Sequence, residues 1–227
     1  MSMSSITHVG NVEAEEGTKK LGFLQIGETP SSSLRIPLIV VKGVRKGPTL
    51  ALTAGVHGCE YVGIEAARKI CTTIDPKRLS GTLVIVPVVN VAAFERRTTT
   101  VCPIDNIELS FPGELTSTVS SIIAHTVFSV VKMSGYLIDM HCGNLLESLT
   151  PFTAFYRTGV EKIDRASMEL ATVFGLGYMW ERSEETARAR GWISSGPLSV
   201  VAPRHGVPAI LAEAGGGGKV DQKHVGL

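Results

Sequence analysis

The sequence contains no apolar run approaching the roughly 20 residues that a membrane span requires, and it gives no ground for a membrane protein. Its first residues, Met1 to Thr7, are polar and lack the apolar stretch of a secretory leader, so a cytoplasmic location is expected. Charge of one sign is also missing: Lys+Arg 22 against Asp+Glu 21 leaves a net charge of +1. A balance so neutral carries no polybasic footprint, and neither nucleic acid nor an anionic membrane surface is an expected partner. Only four cysteines occur, Cys59, Cys71, Cys102 and Cys142, with no Cys-x-x-Cys pair. In a chain this large they read as reduced thiols, not a disulfide framework. The 24 glycines follow no three-residue period, and no segment repeats. What is present is a 44% apolar chain of 227 residues, enough for one sizeable domain with room for a small second lobe.

From Leu21 to Gly43 apolar residues alternate with others, as in β structure, and Ser31-Ser32-Ser33 after Pro30 reads as the turn. Beyond residue 45 the pattern changes. Four short apolar runs, Thr49–Ala54, Thr82–Val89, Tyr136–Met140 and Ala209–Ala212, suit strands buried on both faces. Between them, Glu60–Ile74, Leu115–Val131 and Lys162–Phe174 place apolar residues at helical spacing. Strands alternating with helices predict an α/β fold, a mixed and mostly parallel sheet between helices. The expected division is a β-rich N-terminal portion over residues 1–45 and a main α/β domain over 46–227.

Chemistry-bearing residues follow these strands. The first leads into Gly55-Val56-His57-Gly58-Cys59-Glu60 and the second into Asn90, with Arg96 and Arg97 beyond. The third leads into Asp139-Met140-His141, and the fourth into Glu213. In open α/β sheets ligands bind at the carboxyl ends of the strands, so parallel strands would gather these groups on one rim. His57, Glu60 and His141 are the two-imidazole, one-carboxylate set of a catalytic zinc site, with a fourth position left for water. Glu213 could then serve as general base. Taken singly, each signal favours a plainer reading: His-x-x-Glu is common by chance, and Glu213 could be an ordinary rim carboxylate. Their shared placement is what reverses the odds. Cys59 and Cys142 read as small packing residues, with Cys59 as ligand or nucleophile the weaker option.

The ordered motifs Gly-Val-His-Gly-x-Glu, Val-Val-Asn-x-x-Ala-Phe, Pro-x-Asp with Phe-Pro-Gly, Asp-x-His-x-Gly and Glu-x-Gly-Gly-Gly-Gly resemble the succinylglutamate desuccinylase/aspartoacylase family, among the zinc carboxypeptidase-like hydrolases. The resemblance runs from about Leu38 to the end of the chain. It implies a zinc-carboxypeptidase-like fold, with one zinc ion per chain on His57, Glu60 and His141. It also implies Glu213 as the catalytic glutamate and Arg97, or the adjacent Arg96, as the group polarising the scissile carbonyl. Arg96 and Asn90 would contact substrate, and Asp139 would orient a ligand imidazole from behind. The implied activity is zinc-dependent hydrolysis of the amide bond of a small N-acyl amino acid. A carboxypeptidase-like peptidase and a non-catalytic metal- or ligand-binding relative are the alternatives, and a homo-oligomer stays open.

Two departures from the family stand out. Members carry Asp-Leu-Asn-Arg shortly before Phe-Pro-Gly, whereas Glu108-Leu109-Ser110 here leads directly into Phe111, and no arginine lies between Arg97 and Arg157. This predicts a break between Ser110 and Phe111, with a loop left out. Members also continue into a further helix and a β-rich lobe, while this chain ends shortly after Glu213, so the lobe is expected to be lost or cut away.

Overall fold

The structure, a computed structural model, describes residues 7–28, 30 and 32–227. A small antiparallel pair, β1 (Thr7–Val9) and β2 (Val12–Ala14), precedes the hairpin strands β3 (Thr18–Glu28) and β4 (Ser33–Lys42). The predicted Pro30–Ser33 turn falls partly outside the described residues. Then come β5 (Arg45–Ala54), α1 (Tyr61–Thr73), β6 (Ser80–Val86), α2 (Val91–Arg96), α3 (Val119–Lys132) and β7 (Tyr136–His141). The chain continues through β8 (Ser148–Tyr156), α4 (Glu161–Phe174), β9 (Tyr178–Arg182), α5 (Glu184–Ala189), α6 (Leu198–Arg204), β10 (Ala209–Gly216) and α7 (Gln222–Val225).

The main sheet has eight strands in the order β3-β4-β6-β5-β7-β10-β8-β9. Its centre, β6-β5-β7-β10, is parallel throughout, and the antiparallel pairs lie toward the flanks. The fold is therefore the mixed, mostly parallel α/β sheet that the sequence predicts, and β3 and β4 extend it directly.

Successive residues of the central strands feed opposite cores. Leu137 and Ala209 pack with Val127 of α3 and Val201 of α6. Ile138 and Ile210 pack with Ala67 of α1 and Ala171 of α4. Because both faces are covered, both parities along each strand are apolar, which is why these strands read as continuous runs. Each of these buried Leu, Ile and Val side chains contributes about 1.5–3 kcal/mol by leaving water.

Several boundaries differ from the predicted ones; β5 starts earlier, at Arg45, and β10 runs on to Gly216. β6 stops at Val86 instead of Val89, because Pro87 has no N–H for the ladder. α3 starts at Val119 instead of Leu115, because Thr118 caps it by accepting from the Ser121 N–H at 3.3 Å. The chain also runs unbroken from Ser110 to Phe111. The Ser110 N–H donates to Ile107 O, and the Phe111 carbonyl accepts from Gly196. Phe111 itself is fully buried in the core, a firm anchor directly after the turn.

Candidate active site

The first site residues sit in the loop between β5 and α1. Gly55 turns that loop at φ +65°, a region glycine enters without steric cost, and the Asn90 N–H fastens its carbonyl at 2.8 Å. Glu60 occupies the N-cap position of α1 without a side-chain capping bond. Its carboxylate serves the site instead. Oε1 lies 2.6 Å from His57 Nδ1, Oε2 lies 2.9 Å from His141 Nδ1, and Oε2 also accepts from the Cys142 N–H at 3.2 Å. His141 closes β7, and Glu213 of β10 is its register partner on the neighbouring parallel strand. The strand ends therefore bring these four residues to one rim.

His57, Glu60 and His141 each offer one ligand atom, and these atoms lie within 4.8 Å of one another. The two imidazoles meet edge to face with centroids 5.2 Å apart. Both rings turn Nδ1 toward Glu60 and Nε2 toward a further carboxylate. His57 Nε2 donates to Glu108 at 3.1 Å, and His141 Nε2 donates to Asp139 at 3.3 Å. Asp139 in turn accepts from the Thr53 hydroxyl at 2.6 Å in a fully buried pair. Two imidazoles and one carboxylate suit a catalytic zinc ion with an open position. Carboxylates behind the outer ring nitrogens are the usual way such rings are oriented. The donor set thus fits the metal that the resemblance implies.

The electrostatics follow from burial and pairing. Burial opposes charge on His57, but hydrogen bonds to Glu108 and Glu60 outweigh it and raise the imidazole to about 9. Burial likewise opposes charge on His141, yet Asp139 and Glu60 hold it well above its ordinary value. Glu60 is pulled down to about 2, because the two imidazolium rings outweigh its own burial. Glu213 goes the other way: burial, reinforced by Glu60, pushes it up to about 7. Its Oε2 is buried and has no hydrogen-bond partner among the described residues.

The remaining predicted residues are more dispersed. Asn90 is buried, and its Oδ1 caps α2 by accepting from the Ala93 N–H at 3.1 Å. Arg96 and Arg97 are exposed at the end of α2, with Arg97 in a left-handed conformation at φ 57°. Neither makes a bond to the cluster among the described residues. Cys59 and Cys142 are buried free thiols. Burial raises the Cys142 thiol to about 12, which leaves it inert. Sequence reasoning missed Glu108 as a partner of His57. It also missed Arg182, which closes β9 with its guanidinium over the Trp180 ring.

Comparison with known proteins gives a consistent outcome. A family model described as the succinylglutamate desuccinylase/aspartoacylase catalytic domain matches residues 46–226. The chain is 32% identical over 216 residues to an N-alpha-acetyl-L-2,4-diaminobutyric acid deacetylase of Halomonas elongata, covering 91% of this chain and 60% of that protein. Among solved structures, the product-bound ectoine utilization protein EutE (DoeB) from Ruegeria pomeroyi superimposes with a TM-score of 0.81 at 26% identity, over 98% of this chain and 66% of that one. A succinylglutamate desuccinylase from Silicibacter sp. does so with a TM-score of 0.81 at 26% identity, over 99% and 66%. The chain thus spans 60% of the length of the curated relative it matches.

Proposed function

The chain belongs to the succinylglutamate desuccinylase/aspartoacylase family, and from that premise we propose that it is a zinc-dependent deacylase that hydrolyses the amide bond of a small N-acyl amino acid. The observation that carries this reading is the convergence of His57, Glu60 and His141 with Glu213 directly across from His141. The three donors would hold one zinc ion, which when bound supplies Lewis acidity and a water of lowered pKa.

The chain's own residues do the rest. Glu213, raised to about 7, is poised to take a proton from the attacking water near neutral pH and to return it to the leaving amine nitrogen. Among the described residues its Oε2 has no hydrogen-bond partner that would compete for that proton. Glu108 and Asp139 hold the two imidazoles in orientation from behind. A Cβ on Gly58 would meet the α2 backbone at Ala93, and this supports a place for the end of α2 on the rim beside His57. From there Arg97 is assigned to the carbonyl oxygen, and Arg96 and Asn90 to substrate contacts. Free cysteines support a reducing, cytoplasmic setting. The Halomonas relative's name makes N-acetyl-2,4-diaminobutyrate the first compound to try.

The test pairs a substrate screen with one variant. Acetyl, succinyl and formyl amino acids are assayed beside short peptides, with zinc content measured throughout. Glu213→Gln should keep the metal and lose about 10²–10⁴ in turnover. Full activity in that variant, or cleavage of peptides alone, overturns the reading.

A further inference from the structure

Arg182 lies on the sheet face that carries His141 and Glu213. The ladder pairs His141 with Glu213, Glu213 with Phe152, and Phe152 with Tyr178. Paired residues share a face, and side chains alternate along a strand. Tyr178, Trp180 and Arg182 of β9 therefore point to the same side as the site. Arg182 is only 9% exposed, and its Nε is buried without a partner. Among the described residues its guanidinium makes no hydrogen bond and no ion pair. It sits 4.9 Å from the centroid of Trp180 and 5.7 Å from that of Trp192. Burial lowers its pKa; the charges of Glu213, Glu108 and Asp139 oppose that from a distance, and the like charge of Arg190, which also stacks on Trp192, adds to it.

A buried cation without a counter-ion is costly, and such charges are ordinarily paired. Two indole faces offset part of that cost by cation–π attraction, but they leave the N–H donors unused. A guanidinium stacked in this way is held in orientation by the two indoles, and its planar fork matches a carboxylate through two parallel hydrogen bonds. The surrounding acidic groups do not approach closely enough to supply that carboxylate.

We propose that Arg182 receives the free carboxylate of the substrate and thereby selects N-acyl amino acids over neutral amides. This rests on the deacylase reading, because that substrate class brings a carboxylate to the same face as the scissile bond.

The chain has only two tryptophans, Trp180 and Trp192, and both touch Arg182. Their fluorescence reports binding independently of turnover. N-acetyl-L-alanine and the other acetylated amino acids of the screen are titrated beside their α-carboxamides, reading tryptophan emission and kcat/KM. The acids should perturb the emission, and the carboxamides should bind about 10–100-fold more weakly, the loss of a charge-assisted pair. Arg182→Met should erase that discrimination by raising KM for the acids with little change in kcat. Arg182→Lys should restore part of it. Equal binding of acid and carboxamide by the unaltered protein overturns the proposal even if the variants fail to fold, as does unchanged discrimination in a folded Arg182→Met. Hydrolysis without discrimination sinks the arginine assignment alone. Emission changes that separate acid from carboxamide without any hydrolysis sink the deacylase reading alone. A flat emission with no hydrolysis sinks both.

Discussion

His57 and Glu108, 51 residues apart in sequence, are joined by a 3.1 Å hydrogen bond from the ring Nε2. The bond is the counterpart of His141 Nε2 to Asp139, so each candidate ligand imidazole carries its own carboxylate on the outer side. An imidazole that donates outward through Nε2 keeps Nδ1 free to face Glu60, and this fixes both ring orientation and ligand basicity.

Glu108→Ala should therefore lower zinc affinity by about 10–100-fold, the usual effect of losing such an outer carboxylate. Glu108→Gln retains an oxygen acceptor for Nε2–H and should fall between the two. Competition of each variant with a chromogenic chelator measures this directly. Affinities equal to that of the unaltered protein would mean that Glu108 does not position His57.

Metal binding should release protons. In the metal-free protein His57 stands at about 9 and His141 well above its ordinary value, so both rings are protonated at pH 7. A ligand nitrogen must give up its proton, so zinc binding at pH 7 should expel about one proton from each ring. Calorimetry in buffers of different ionisation enthalpy reads that number. The same shift carries a stability signature. A folded-state pKa raised above the unfolded one stabilises fully below pH 6.5, and the gain is lost as pH rises toward about 9. The metal-free protein should lose thermal stability across that window, and an unchanged Tm would contradict the pairing.

Glu213 sets the acidic limb of the reaction. As a base it must be ionised, and burial with Glu60 nearby holds it at about 7. kcat/KM should therefore rise with pH through about 7 and level off above. An acidic limb lying near pH 4.5, the ordinary glutamate value, would show that Glu213 is not the titrating group.

The parts of this arrangement legible in the sequence are those encoded locally. His57, Glu60, His141 and Glu213 each follow or end an apolar run that is unmistakable, because the parallel centre of the sheet is covered on both faces. The flanking strands β8 and β9 were not predicted. Polar residues interrupt the apolar ones of β8, and the short apolar run of β9, Tyr178, Met179 and Trp180, stays exposed at the sheet edge. With β9 unseen, nothing local marks Arg182 as part of the site. Trp180-x-Arg182 at a spacing of two was the available signal that both share a face. Glu108 was visible only as a departure from the Asp-Leu-Asn-Arg motif, since nothing local reveals a partner on another loop. Where a break was predicted, Ser110 leads directly into Phe111, which is anchored in the core and bridged to Gly196.

Gly58 provides a test of how tightly the ligand loop is held. A Cβ at this buried position would lie 2.1 Å from both Ala93 C and Phe94 N, backbone atoms of α2 that cannot swing aside. Its own N–H donates to the Thr99 carbonyl at 3.2 Å, tying the loop to the segment after α2. Gly58→Ala must therefore push the loop and the helix apart. Overpacking of this kind costs about 1–3 kcal/mol, and because His57 is the adjacent residue, zinc affinity should fall as well. Gly177→Ala is the matched control, with no atom of the described residues beyond its chain neighbours within 4 Å of the added carbon, and it should leave stability within about 0.5 kcal/mol. Chemical denaturation with zinc titration of both variants reads the two effects together. A Gly58→Ala protein as stable and as zinc-binding as the Gly177→Ala control would show that the α2 contact does not hold the ligand loop in place.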